Sequence, residues 1–420
     1  MIAFPDIARL LTPEQVTLSD GRTADLFRST STELLKLDFV FEAGSNYQPQ
    51  LLTAVAAAKL MAVATRSMDA QRLSEFMDAR GIVVECTSSV FTSCLTVYTH
   101  RRYAAEVVPV VMEMLSAPAF SENDFEVWRA AKRQELAVHL QRSSTVARRL
   151  WYQGLFGTDH PLGHAAMPED ADRLSVEVVR DYFRRRYLGA PCRITLSGCV
   201  DDRLLMALEG SLPEADNKSS LISSTSSLTV PPHTLHPVRK KIAGAQQTTI
   251  RLGRVLPDAG AMPFEESARL AVCTTLLGGW FGSRLMSNLR EEKGYTYGVS
   301  AHIQPYRGCR VFFIASDVAA GTADEAEREA LGELQRLADT PPSAEELDTV
   351  KSIMAGDAMR MLDGVFERSD RHCDLMESGS LDLYDARFPQ VLQDTTPEHV
   401  SVLARQWLAP GQMLCCQAGA

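Results

Sequence analysis

The sequence predicts an α+β protein of two homologous domains, each a mostly antiparallel sheet with helices packed on it. Three observations predict it. Strand-like and helix-like stretches are mixed in both halves without the strict alternation that a doubly wound parallel sheet requires. The two halves carry similar signals at nearly constant spacing. One Ser-, Thr- and Pro-rich stretch, "PEADNKSSLISSTSSLTVPPHTLHP", divides the chain near its middle. A chain of 420 residues also exceeds one ordinary core. The expected division is residues 1–215, a linker at 216–235, and residues 236–420.

In the first half, "KLDFVFEAGS" and "SCLTVYTH" read as strands, by alternation and β-branched content. Between them, "LLTAVAAAKLMAVAT" is an alanine-rich helical run, and "MDAQRLSEFMDARG" is a helix stopped by Gly81. The spacing of "AAEVVPVVMEMLSAP" is helical, with Pro109 near the start. Ser121 opens the amphipathic "SENDFEVWRAAKRQELA" as an N-cap. The half closes with a helix, a short break and a strand ending at Gly198, in "SVEVVRDYFRRRYLGAPCRITLSG".

The second half repeats the design. "QTTIRLGRV" and "RVFFIASDV" are strands, and "ADEAEREALGELQRLAD" is a helix. Ser343 opens "SAEELDTVKSIMAGDA", and "TPEHVSVLARQWLAPGQMLCCQAG" runs helix, break and strand to Gly419. Ser121 and Ser343 are offset by 222 residues, and Gly198 and Gly419 by 221. Near-equal offsets point to an internal duplication.

Composition bounds the function. The chain is 45% hydrophobic and 23% charged, enough to bury a large core. Its formal charge of −10 argues against a nucleic-acid partner, which usually leaves a basic patch. No basic segment with a long apolar core opens the sequence, and no run of eighteen apolar residues occurs. The expectation is a cytoplasmic protein with no membrane partner. The nine cysteines lack CxxC spacing and read as free thiols. His160 and His164 have i,i+4 spacing, but Pro161 and Gly163 between them favour a loop over a metal-binding helix face.

One segment is more specific. "LLGGWFGSRLMSNLREEKGYTYGVSA", Leu276 to Ala301, has a glycine turn followed by a helix ending in an LRE–basic–G–x–x–Y pattern. It resembles the C-terminal-domain signature of the insulinase-like (M16, pitrilysin) zinc metallopeptidases. The resemblance extends over nearly the whole chain, including the duplication, the "VFEAGS" strand and the "TDHPLGHAAMP" segment. Gly278, Gly279 and Gly282 are read as a turn that caps a helix.

The resemblance implies what the first half should contain. Active members carry HxxEH on the first long helix: two histidines grip zinc from one helix face, and the glutamate activates the bound water. Here the matching positions fall in "VAAAK". Val55 and Lys59 stand where the histidines would be, and Ala58 where the general base would be. Glu135 falls where the distal glutamate ligand belongs, and one carboxylate cannot hold zinc alone. The chain resembles a non-zinc-binding member lacking HxxEH, with no cofactor of its own.

Arg290 and Tyr297 match the arginine and tyrosine by which the family's C-terminal half contacts the substrate carbonyl and the oxyanion. A missing zinc site beside a retained pair resembles heteromeric members in which one chain brings HxxEH and the other Arg and Tyr. That implies an HxxEH-bearing M16 partner holding the zinc, and a peptide substrate in a clam-like chamber. The alternative is a catalytically inactive structural or peptide-binding homologue, such as a homodimer.

Overall fold

The computed structural model describes residues 7–211, 228–230, 236–258, 260–379 and 387–420. Most of the expected linker lies outside the described residues. Within it, Leu228 is buried, and its amide donates to Arg307 O at 2.9 Å.

Two sheets organise the chain. The first contains β1 (Glu14–Thr17), β2 (Thr23–Arg28), β3 (Leu34–Phe41), β4 (Val83–Ser88), β5 (Ser93–His100) and β6 (Cys192–Gly198), in the order β1-β2-β6-β3-β5-β4. The second contains β7 (Val238–Lys241), β8 (Gln247–Leu256), β9 (Thr296–Tyr306), β10 (Cys309–Ala319) and β11 (Leu414–Gly419), in the order β7-β11-β8-β10-β9. Apart from the extra β1, the second order is the first with every strand number raised by five. Strand directions agree as well. β2–β6 and β7–β11 are parallel, and the remaining matched pairs are antiparallel. The fold is α+β, as expected.

The helices repeat too. Glu122–His139 and Ala344–Met361 both have 18 residues, and their N-caps Ser121 and Ser343 accept from Asp124 N and Glu346 N. Ser143–Phe156 and Val365–Ser378 both have 14, and Val176–Arg186 and Pro397–Trp407 both have 11. Gly198 and Gly419 end β6 and β11 at φ +98° and +151°. A Cβ would fall 2.1 Å from Leu34 O at Gly198 and 2.3 Å from Gln247 O at Gly419. Each glycine lets its strand lie against the first residue of the neighbouring strand, where a side chain would collide with backbone.

Pro109 lies inside the Ala104–Ser116 helix rather than near its start. A short helical turn, Arg101–Tyr103, runs directly into that helix and lengthens the helical stretch ahead of the proline.

The halves are interlocked, which the sequence did not announce. The Ser143–Phe156 helix of the first half covers the outer face of the second sheet. Ala147, Trp151, Leu155 and Phe156 form an apolar layer there with Val311, Leu414, Cys416 and Ala418. Reciprocally, Val365–Ser378 of the second half lies on the outer face of the first sheet. That junction is polar. Ser197 bonds Ser369 at 3.0 Å, Thr195 Oγ1 is 3.6 Å from Cys373 Sγ, and buried Lys36 pairs with Asp38 at 3.0 Å and with Asp370. Alternation explains the polarity. Leu35, Leu37 and Phe39 of β3 face the inner core, so Lys36 and Asp38 must face the exchanged helix.

Candidate functional site

The "VAAAK" stretch lies on the Thr53–Leu60 helix, as expected. This helix packs on β4, β5 and the Val176–Arg186 and Glu122–His139 helices. Ala56, Ala57 and Ala58 are each 0% exposed, Val55 is half-buried, and Lys59 is exposed. The position matched to the general base therefore sits inside close-packed core, away from water. Alanine suits that packing and favours the helix. The Lys59 side chain makes no ion pair or hydrogen bond among the described residues, while its backbone carbonyl accepts from Ala62 N at 3.4 Å. Burial pushes the Cys86 thiol up to about 12, with the Lys59 charge pulling the other way.

Glu135 lies on the Glu122–His139 helix with a largely exposed side chain. It pairs with Lys132 at 2.8 Å and lies 3.8 Å from His139 Nδ1. Among the described residues no group of three or more His, Cys, Asp or Glu side chains is arranged to hold a metal ion. His160 lies outside the helices. Its ring stacks on Phe156 at 4.8 Å, its Nδ1 accepts from Leu162 N at 3.1 Å, and burial lowers its pKa. All nine cysteines are free, with Cys415 and Cys416 buried in β11.

Arg290 and Tyr297 lie on neighbouring elements of the second half. Arg290 is in the π-helical turn Met286–Glu292, half-buried, with its guanidinium 4.6 Å from the ring centre of the exposed Phe281. Tyr297 is on β9, the edge strand of its sheet, and is 90% exposed.

A β-bulge accounts for this exposure. The β9–β10 register steps from Val299↔Ser316 to Thr296↔Val318, so Tyr297 and Gly298 together oppose Asp317. The extra residue breaks the inward–outward alternation and turns the tyrosine outward. Hydroxyls hold the bulge together. Thr296 Oγ1 lies 2.7 Å from Asp317 O and 2.9 Å from Gly298 O, and it accepts from Gly298 N at 3.0 Å. Ser316 Oγ lies 2.9 Å from both Thr296 Oγ1 and Gly298 O. The sequence reading missed this brace; its only trace is "TYG" beginning a strand.

The glycine segment also differs from a simple capping turn. Thr275–Gly279 continues the Phe264–Thr274 helix as a π-helical turn, and Gly278 breaks it with φ −161° and ψ 16°. A Cβ on Gly278 would fall 2.6 Å from Ala301 N, so glycine here lets the turn approach β9 closely.

Residues 173–354 match the family described as "Peptidase M16 inactive domain". The chain is 22% identical over 313 residues to "Uncharacterized zinc protease YmxG" of Bacillus subtilis, covering 73% of this chain and 74% of that protein. It is 23% identical over 279 residues to "Non-peptidase homolog YmxG" of Helicobacter pylori, covering 63% of this chain and 62% of that one. It spans only 54% of the length of a Streptomyces coelicolor zinc-protease relative. The crystal structure of a peptidase M16 inactive domain from Pseudomonas fluorescens superposes with TM-score 0.83 at 17% identity, covering 97% of this chain and 98% of that one. Residues 173–354 are thus similar to the inactive-type domain of M16 peptidases, and the fold is M16-like over nearly the whole chain.

Proposed function

We propose that the protein is the non-zinc subunit of a heteromeric M16-type peptidase. It supplies Arg290 and Tyr297 to a composite site whose zinc is held by an HxxEH-bearing partner. The observation that carries this reading is the exposure of Tyr297. A bulge braced by two buried side chains, Thr296 and Ser316, presents a phenol to solvent at 90% exposure, and the neighbouring turn carries a guanidinium stacked on an exposed ring. A phenol held outward costs apolar burial and fits a side chain used by a second molecule.

The chemistry follows from the donors. A guanidinium and a phenolic hydroxyl can both donate to a carbonyl oxygen as it gains negative charge during attack by water. In this reading the partner's zinc supplies the activated water. The present chain contributes no base, since Ala58 stands in the matched position and is fully buried. The peptide is held as an added strand on a sheet edge inside a clam-like chamber between the subunits. The two-domain division, with its linker at 216–235, belongs to this reading.

The test is reconstitution with the HxxEH chain. Arg290→Ala and Tyr297→Phe should each abolish or sharply reduce peptide hydrolysis by the pair while leaving assembly intact. Undiminished turnover by both variants contradicts the composite site.

A second reading is a catalytically inactive structural or peptide-binding homologue, as a homodimer. One observation favours it: a Helicobacter relative carries the description non-peptidase homolog. Light scattering distinguishes the two, because this reading requires a stable self-assembly that does not take up an HxxEH chain.

A further inference from the structure

A cavity of 680 Å³ lies at the junction of the two halves, away from Arg290 and Tyr297. The Ser89–Phe91 turn contributes one wall, the tip of the β9–β10 hairpin a second, and the Val365–Ser378 helix a third. Phe91, Ala271, Ile303, Pro305 and Leu375 make much of the lining apolar. The volume is that of a small-molecule site, and such sites combine apolar walls with a few placed polar groups.

Arg310 is the unusual member of the lining. It is 3% exposed, and no carboxylate lies within ion-pair distance of it among the described residues. Its Nε donates to Pro257 O at 2.9 Å, Nη1 to Ser267 Oγ, and Nη2 to Met262 Sδ at 2.9 Å. All three acceptors are uncharged. A guanidinium has five N–H donors, so two protons of Arg310 remain without a described acceptor. A buried cation without a counter-ion is costly, and burial lowers the Arg310 pKa, with Asp258 opposing from a greater distance.

Arg307 and Glu377, which also line the cavity, have described partners. Arg307 pairs with Glu42 at 2.9 Å and donates to Glu377 O, and the Glu377 carboxylate accepts from Ser89 Oγ. Burial raises the Asp374 pKa, the first effect on it, while Arg371 pulls it down.

We propose that this cavity binds a carboxylate carried on an apolar body, with Arg310 as its anion-recognising group. The carboxylate supplies the counter-charge that the protein withholds, and the apolar body fills the Phe91, Ile303 and Leu375 side. Two sources share this chemistry: a free organic acid and the C-terminus of a peptide ending in an apolar residue. Guanidinium suits both, because its paired N–H groups match a carboxylate fork. The proposal does not depend on the composite peptidase site.

The experiment is isothermal titration calorimetry of the full chain with three probes: 4-phenylbutyrate, N-acetyl-Ala-Ala-Phe, and the same peptide as its C-terminal amide. Both acids should bind one per chain, and the amide about tenfold or more weaker. Tighter binding of phenylbutyrate assigns the site to free acids, and tighter binding of the peptide acid to chain termini. Arg310→Gln should remove the acid–amide difference, and Arg310→Lys should retain part of it. Should Arg310→Gln unfold the protein, Ala271→Phe, at a half-buried helix position on the cavity wall, should block both acids in a folded chain. Equal binding of acid and amide, no binding of either acid, or undiminished binding to folded Ala271→Phe would overturn the proposal.

Discussion

The indole of Trp151, on a helix of the first half, donates a 3.0 Å hydrogen bond to the backbone carbonyl of Leu414, on a strand of the second. Trp151 is 0% exposed and packs edge-on to Phe313, with the Arg251 guanidinium 5.1 Å from its ring centre. The halves therefore share a core rather than merely touching.

Trp151→Ala should destabilise the chain by about 3–5 kcal/mol, the usual cost of deleting a buried ring, because it also orphans the Leu414 carbonyl. Because the helix it removes support from belongs to one half and the sheet to the other, both halves should lose stability together. Denaturant unfolding followed by fluorescence and by circular dichroism should still give one coincident transition, shifted to lower midpoint.

At the polar junction the two acids that share Lys36 should behave unequally. Lys36 and Asp38 are 2% and 5% exposed at the side chain, whereas Asp370 is 56% exposed. Lys36→Ala strands a buried carboxylate and should cost about 3–5 kcal/mol. Asp370→Asn, at the water-facing end, should cost under about 1 kcal/mol. Chemical denaturation of the two variants measures the difference.

Asp25 couples the same junction to pH. Burial raises its pKa, but the His372 ring, with Nε2 3.8 Å away, and the hydrogen bond from Gln15 outweigh that and hold it below 3.8. A carboxyl depressed on folding contributes stability that is complete above its unfolded value, about 3.9, and is lost as pH falls through its lower folded value. Asp25→Asn should therefore flatten the acid limb of stability against pH below about 4. An unchanged acid limb would remove Asp25 from the account.

The bulge supplies a positioning test. Thr296→Val keeps the side-chain shape and deletes the hydroxyl that braces Gly298 and Asp317 O. In the reconstituted pair, kcat should fall about tenfold or more with little change in KM, as expected when a transition-state donor is displaced. A merely structural role for Thr296 would instead lower the melting temperature and leave kcat per folded molecule unchanged.

Much of the fold was legible because duplication writes itself into spacing. Ser121 and Ser343 cap matched helices, and Gly198 and Gly419 end matched strands, each for a reason visible in one residue type. The helix exchange was not legible. Amphipathic periodicity shows that Trp151 faces something apolar, and it cannot say whose sheet that is. The helix carrying Val55, Ala58 and Lys59 was legible from its alanines, whereas the full burial of Ala58 was not. The outward turn of Tyr297 depends on a register step between two strands, and register is a property of a strand pair that neither sequence carries alone.

The most direct test of the account is peptide hydrolysis by this chain mixed with an HxxEH-bearing M16 chain copurified from its native extract, comparing wild type with Arg290→Ala. The account predicts a stoichiometric pair that turns over peptide with the wild-type chain, and an Arg290→Ala pair that assembles normally and is inactive. Recovery of the chain only with copies of itself, or full turnover by the Arg290→Ala pair, would contradict it.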